Sequence, residues 1–201
     1  MNRATRILAA GVLGLSVSGC SVGGLLGGGA KTPTTLQTLT PEAPDTGPMA
    51  RTANAGEAVT VAVPAVAKEL RTVRVPVQVS PTDIQYVTDL VWVDTPDRLF
   101  QRLVSETVRR TTSRVVLDSN LTSLDPGLLL SGQLQKFGYD AQAGQVVVEY
   151  DGALLTAGGS KVDTRRFVAT APADGTAASV GPALNRAANQ VAADVAKWIG
   201  G

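Results

Sequence analysis

The chain has 201 residues, 44% hydrophobic and 17% charged, with a formal net charge of +1. That composition suits one globular domain plus some processed or extended sequence, and the near-neutral charge, with no Lys/Arg cluster among aromatics, excludes a general nucleic-acid binder. Histidine is absent (count 0) and cysteine occurs 1 time, which excludes Ser-His-Asp and Cys-His nucleophiles, imidazole zinc sites, an intrachain disulfide framework and CxxC redox chemistry.

At the N-terminus, Arg3 and Arg6 precede an apolar run from Ile7 to Val17, broken only by Gly11, Gly14 and Ser16. The run is too short to cross a bilayer as a helix and reads as the core of an export signal. Val17-Ser18-Gly19-Cys20 resembles the bacterial lipobox. The match implies that residues 1–19 are a signal peptide and that Cys20 is the acylated first residue of the mature chain. Acylation also removes a lone thiol from stray pairing. Each buried methylene of an acyl chain contributes ~0.8 kcal/mol, so two or more chains are needed for stable anchoring. The next residue is Ser21 rather than Asp, which by the bacterial sorting pattern favours the outer membrane. Loss of Arg3 and Arg6 takes the net charge from +1 to −1, so electrostatic attraction to anionic lipid adds little.

Residues 20–56 are rich in Gly, Thr, Pro and Ala and read as a flexible tether. As a coil it would average roughly 30–35 Å end to end. Thr34 to Leu39 could form an edge strand within it. The string GGGAKT fails as a phosphate-binding loop, because Ala30 stands where glycine is required and no buried strand feeds it.

The globular domain is expected over residues 57–201. Glu57 to Val63 is a β-branched run ending at Pro64. In Thr72 to Val79 the residues Val73, Val75, Val77 and Val79 share one face, while Pro76 points to an edge strand or a bulge. Ile84 to Val93 is a third strand, with Tyr86 and Trp92 as large anchors. A helix then starts at Asp94 or Thr95 as cap, with Pro96 and Asp97 in its first turn. Its stripe is Leu99, Phe100, Leu103, Val104 and Val108. Ser113 to Asp118 is a short strand, and Asp125 to Gly127 is a turn. Two longer strands, LLLSGQLQKFGYD and QVVVEYDGALLTA, join near AQAG as a hairpin, and SKVDTRRFVATAP is the next strand. The last element is a helix with Val180, Leu184, Ala188, Val191, Val195 and Trp198 on one face. Its small residues Ala187, Ala192, Ala193 and Ala196 permit close packing. The expected fold class is α+β, a mostly antiparallel sheet with two amphipathic helices packed on one face.

The sequence resembles the ABC-type transport auxiliary lipoproteins, encoded with MCE-domain (mammalian cell entry) lipid transporters and including the Pqi-type outer-membrane lipoproteins. The resemblance is carried by Cys20, Thr35-Leu36, Val61 to Pro64, VAKELRTVRVPV, and IQYV leading into VWVDTPDRLFQRLV. It covers roughly Thr34 to the C-terminus, and Val91-Trp92 stands where family members often carry Arg-Trp. The resemblance implies a non-enzymatic part of an envelope lipid-transport machine, anchored on the periplasmic face of the outer membrane. There it would dock an MCE-domain protein, as one subunit or a ring of identical subunits, with the ATPase in a separate component. No cofactor or metal is implied.

Two other readings follow from the residues. A pocket between helices and sheet could take an acyl chain, making the chain a stand-alone lipid- or glycan-binding lipoprotein. Alternatively, Asp83, Asp89, Asp94, Asp97, Asp118 and Asp125 could supply paired carboxylates for acid–base hydrolysis, although Asp94 and Asp97 read better as cap and first-turn residues. Arg109, Arg110 and Arg114, or Arg165 and Arg166, could face a lipid headgroup or an acidic partner, but such arginines more often form a solvated face.

Overall fold

The computed structural model describes residues 35–47, 50–54, 57–117, 127–156 and 161–200. Among them are eight strands and two α-helices: β1 (Val59–Val61), β2 (Ala65–Val66), β3 (Arg74–Gln78), β4 (Ile84–Val91), α1 (Pro96–Thr111), β5 (Val116–Leu117), β6 (Leu128–Asp140), β7 (Gln145–Thr156), β8 (Val162–Pro172) and α2 (Ala177–Gly200). A 3-10 turn, Lys68–Leu70, links β2 to β3.

The spine of the sheet is β6. Along one edge it pairs antiparallel with β7 from Leu128↔Thr156 to Asp140↔Gln145, and β7 pairs antiparallel with β8. Along its other edge three short strands follow one another, all parallel to it: β1 beside Leu128–Leu130, β2 beside Gln133 and Leu134, and β3 beside Tyr139 and Asp140. The sheet is therefore mixed, not mostly antiparallel, within the expected α+β class. Parallel pairing needs a crossover connection, and α1 lies in the one between the β1–β4 strands and β5–β6. Proline 76 takes the bulge alternative. It sits in β3 between β4 and β6, where the β3–β4 register shifts between Arg74↔Val91 and Pro76↔Tyr86. The extra residues of β4 bulge there, Val87 and Leu90 turning into the core and Thr88 and Asp89 outward, with Asp89 at φ 58°.

The helices form as their stripes dictate. In α1, Leu99, Phe100, Leu103, Val104 and Val108 are all buried. Thr95 is the extended N-cap without a side-chain cap bond; Asp94 instead accepts from the Thr95 amide at 2.8 Å. The helix stops at Thr112, whose hydroxyl donates back to the Val108 carbonyl. In α2, Val180, Leu184, Ala188, Val191 and Val195 are buried with Ala187, Ala192 and Ala196, while Trp198 is half-buried. Ahead of α2, Asp174 accepts from the Thr176 hydroxyl at 2.7 Å and amide at 2.9 Å, and these bonds hold its carboxyl below the ordinary carboxylate range.

Both helices pack on the same face of the sheet. Burial of a side chain such as Phe100 or Leu184 contributes about 1.5–3 kcal/mol. A row of rings runs through this layer, with centroids 5.1 Å apart for Phe100–Tyr150, 6.4 Å for Tyr150–Phe167 and 5.5 Å for Phe167–Trp198. Glycines make room for it: a Cβ on Gly132 would come 2.8 Å from the Tyr150 hydroxyl. That hydroxyl donates to the Ser131 carbonyl at 2.8 Å, and burial pushes its pKa well up.

Candidate functional site

Cys20, the one residue the sequence singles out, lies outside the described residues. The structure does describe how the chain beyond it joins the domain. Gln37 forms an isolated parallel bridge with Trp92: its amide donates to Val91 and its carbonyl accepts from Val93, each at 2.8 Å. Among the described residues 35–39, the expected edge strand is realised at Gln37. Leu39 is buried. The chain then lies across the helices. Asn185 accepts from the Thr40 amide at 2.8 Å, and its own amide donates to the Glu42 carboxylate at 3.2 Å. Asn189 accepts from the Glu42 amide at 2.8 Å and donates to the Thr40 carbonyl at 2.9 Å. Arg110 donates to the Ala43 carbonyl at 2.9 Å. The tether expected over 20–56 is therefore a fixed arm over residues 35–43. Composition could not show this, because the groups that hold the arm come from the end of β4, from α1 and from α2, all distant in the sequence.

The arginines are mostly engaged within the domain. Arg51 donates to the carbonyls of Thr112 and Arg114 beyond the end of α1, and Arg114 donates to Ile199 near the end of α2. Cations at these positions satisfy orphan carbonyls and complement the negative end of the helix dipole. Arg110 also bonds Glu106 at 2.8 Å, and this bond chiefly holds the Glu106 carboxyl below its ordinary range. Arg165 lies 5.7 Å over the Trp198 ring, while Trp198 donates to Asp163 at 3.0 Å.

The sheet face opposite the helices is open among the described residues. On β7 the buried Val146, Val148 and Tyr150 alternate with half-buried Val147, Glu149 and Asp151. Arg166 clamps Asp151 with bonds of 2.6 and 2.7 Å and lies 3.2 Å from Glu149, which faces Lys136 at 3.6 Å. The Arg166 guanidinium lowers the Asp151 pKa. Exposed Val162 and Val168 flank this charged centre. The face is suited to contact with a mixed polar and apolar surface.

Each described carboxylate of the expected set has its own local surroundings. Asp83 accepts from the Ser80 hydroxyl at 2.7 Å in the β3–β4 turn, Asp89 is exposed in the bulge, Asp94 pairs with Arg102 at 2.8 Å, and Asp97 lies in the first turn of α1. Asp118 and Asp125 lie outside the described residues. Among the described residues no three His, Cys, Asp or Glu side chains are grouped to hold a metal ion, and no helix is long and apolar enough to cross a membrane. The layer between helices and sheet, where an acyl-chain pocket was one expectation, is filled by Phe100, Tyr150, Leu184 and Val191, each at most 2% exposed. The clefts lie at the surface. One of about 760 Å³ is bordered by Thr112, Arg114, Ala193 and Lys197, and one of about 420 Å³ by Pro76, Ile84, Lys136 and Tyr139.

These features define a two-layer α+β domain with an N-terminal arm bound over its helices and one sheet face open. The chain belongs to the family of ABC-type transport auxiliary lipoprotein components, whose model matches residues 38–196. The match starts within the arm. A crystal structure of a DUF330-family protein from Xanthomonas campestris aligns at a TM-score of 0.65 with 18% identity, covering 84% of this chain and 92% of that one. A solved structure of an uncharacterised protein aligns at 0.60 with 17% identity, covering 82% and 99%. A PelC dodecamer from Paraburkholderia phytofirmans aligns at 0.44 with 16% identity, covering 76% and 94%, too distantly to bear on assembly. At these identities the likeness is one of fold. No curated protein matches this chain.

Proposed function

We propose that this chain is a non-enzymatic, outer-membrane-anchored lipoprotein that docks or scaffolds the periplasmic assembly of an MCE-type ABC lipid transporter. The observation that carries the reading is the family match over residues 38–196. The lipobox pattern at Cys20, with Ser21 after it, supports an acylated N-terminus sorted to the periplasmic face of the outer membrane. With 1–19 removed and residues 35–43 held on the domain, the free leash is the stretch between Cys20 and Thr35. The domain then serves as a docking body, either singly or as one subunit of a ring of identical copies, and energy comes from a separate ATPase.

Affinity purification of the full chain from detergent-solubilised envelopes tests the partner: an MCE-domain protein is expected to co-purify. Consistent recovery without one, from cells that express such a protein, sinks the docking role. A Cys20→Ala variant is expected to lack acyl mass and to leave the outer-membrane fraction; unchanged membrane retention refutes the anchor.

A further inference from the structure

The bridge at Gln37 sets which side chains surround the point where the chain enters the domain. Successive residues of an extended chain point to opposite faces. The Gln37 side chain lies over Gly181 of α2, where a Cβ would run into its amide, and Trp92 is buried. Leu36, Val91 and Val93 therefore face outward. Leu36 is 55% exposed and Val93 49%. Val91 pairs with Arg74 across β3–β4, and the Arg74 guanidinium lies 4.2 Å over the Tyr86 ring. Of the nearby acids, Asp94 is paired with Arg102 and Asp89 is exposed. Two exposed aliphatics, an aromatic and a cation thus cluster at the entry point. That combination suits a lipid headgroup layer, where aliphatic tips enter, an aromatic ring sits at the boundary and arginine meets phosphate.

We infer that this patch rests on the surface of the membrane that holds the Cys20 acyl chains, an inference that depends on the proposed anchor. The covalent leash argues for lipid as the occupant. Fifteen residue steps separate Cys20 from Thr35 and span at most about 54 Å fully extended. As a coil they average about 20 Å, against a diameter of about 40 Å for a domain of this size. The entry pole is therefore held near the bilayer and the far edge of the sheet away from it. Tethering raises the local lipid concentration enough for a small patch, too weak to bind by itself, to stay in contact.

The test uses the acylated mature chain in phosphatidylethanolamine–phosphatidylglycerol vesicles. Reporter cysteines introduced by Leu36→Cys, Val93→Cys or Val168→Cys carry an environment-sensitive fluorophore, and nitroxide lipids act as quencher. Quenching at positions 36 and 93 is expected to exceed that at 168, on the opposite edge strand, several-fold. Arg74→Glu, at an exposed position, is expected to reduce it at 93. Acylated chain that floats with the vesicles but quenches equally at all three positions overturns this inference alone. Chain without acyl mass overturns it together with the anchor.

Discussion

The side-chain amide of Asn189 donates to the Thr40 carbonyl at 2.9 Å, while its oxygen accepts from the amide two residues on, at Glu42. One buried side chain of α2 thereby satisfies both polarities of the arm backbone.

Asn189→Ala is expected to destabilise the domain by about 1–3 kcal/mol, since it strands polar backbone groups against an apolar helix face. The urea midpoint should fall, and exchange of the Thr40 and Glu42 amides should speed up. Protection of those amides equal to that of the parent chain would show that Asn185, Arg110, the Gln37 bridge and Leu39 hold the arm without Asn189.

Gly132 and Gly144 separate two costs. Both have positive φ, at 152° and 63°. A Cβ at Gly132 would run into the Asp151 backbone carbonyl and then Tyr150, while one at Gly144 meets nothing within 4 Å. Gly144→Ala should cost about 1 kcal/mol, from backbone strain alone. Gly132→Ala adds a clash and should cost about 3 kcal/mol. Thermal unfolding of the two variants checks the order.

Asp89 holds a left-handed conformation, φ 58°, without being glycine. Asp89→Gly should therefore stabilise the domain by up to about 1 kcal/mol, the relieved strain being partly offset by the greater freedom of glycine in the unfolded chain. A lower urea midpoint would show that the carboxylate itself supports the bulge.

Glu106 adds a pH dependence. Its carboxyl is held below the ordinary value of 4.5, chiefly by the bond from Arg110. A depressed folded pKa means that its stabilisation is present above pH 4.5 and is lost as pH falls through the lower folded value. Chemical denaturation at pH 7 and pH 3 should show a smaller acid-induced loss for Glu106→Gln than for the parent chain.

Both helices were legible in the sequence. Leu99 to Val108 and Val180 to Val195 recur at helical spacing, and that periodicity directly reports one buried face. The β6–β7 hairpin was legible too, because two alternating runs flank a short turn that closes at Gly144. The parallel strands were not. Val59–Val61, Ala65–Val66 and Arg74–Gln78 are short, and their partner is β6, more than fifty residues on. Nothing local distinguishes a parallel neighbour from an antiparallel one. Pro76 signalled irregularity correctly but left open whether an edge or a bulge would result.

By itself the sequence determined what kinds of chemistry are unavailable, since a chain without histidine and with one cysteine lacks those groups in any fold. It also determined the two amphipathic helices and the α+β class, which follow from side-chain spacing along a continuous segment. Only the tertiary structure decided the mixed sheet, the seat of the arm and the facing of Leu36, Val93 and Arg74. Those depend on distant partners, with Asn185 and Asn189 matching backbone groups at Thr40 and Glu42, and such complementarity exists only once the chain has brought the two together.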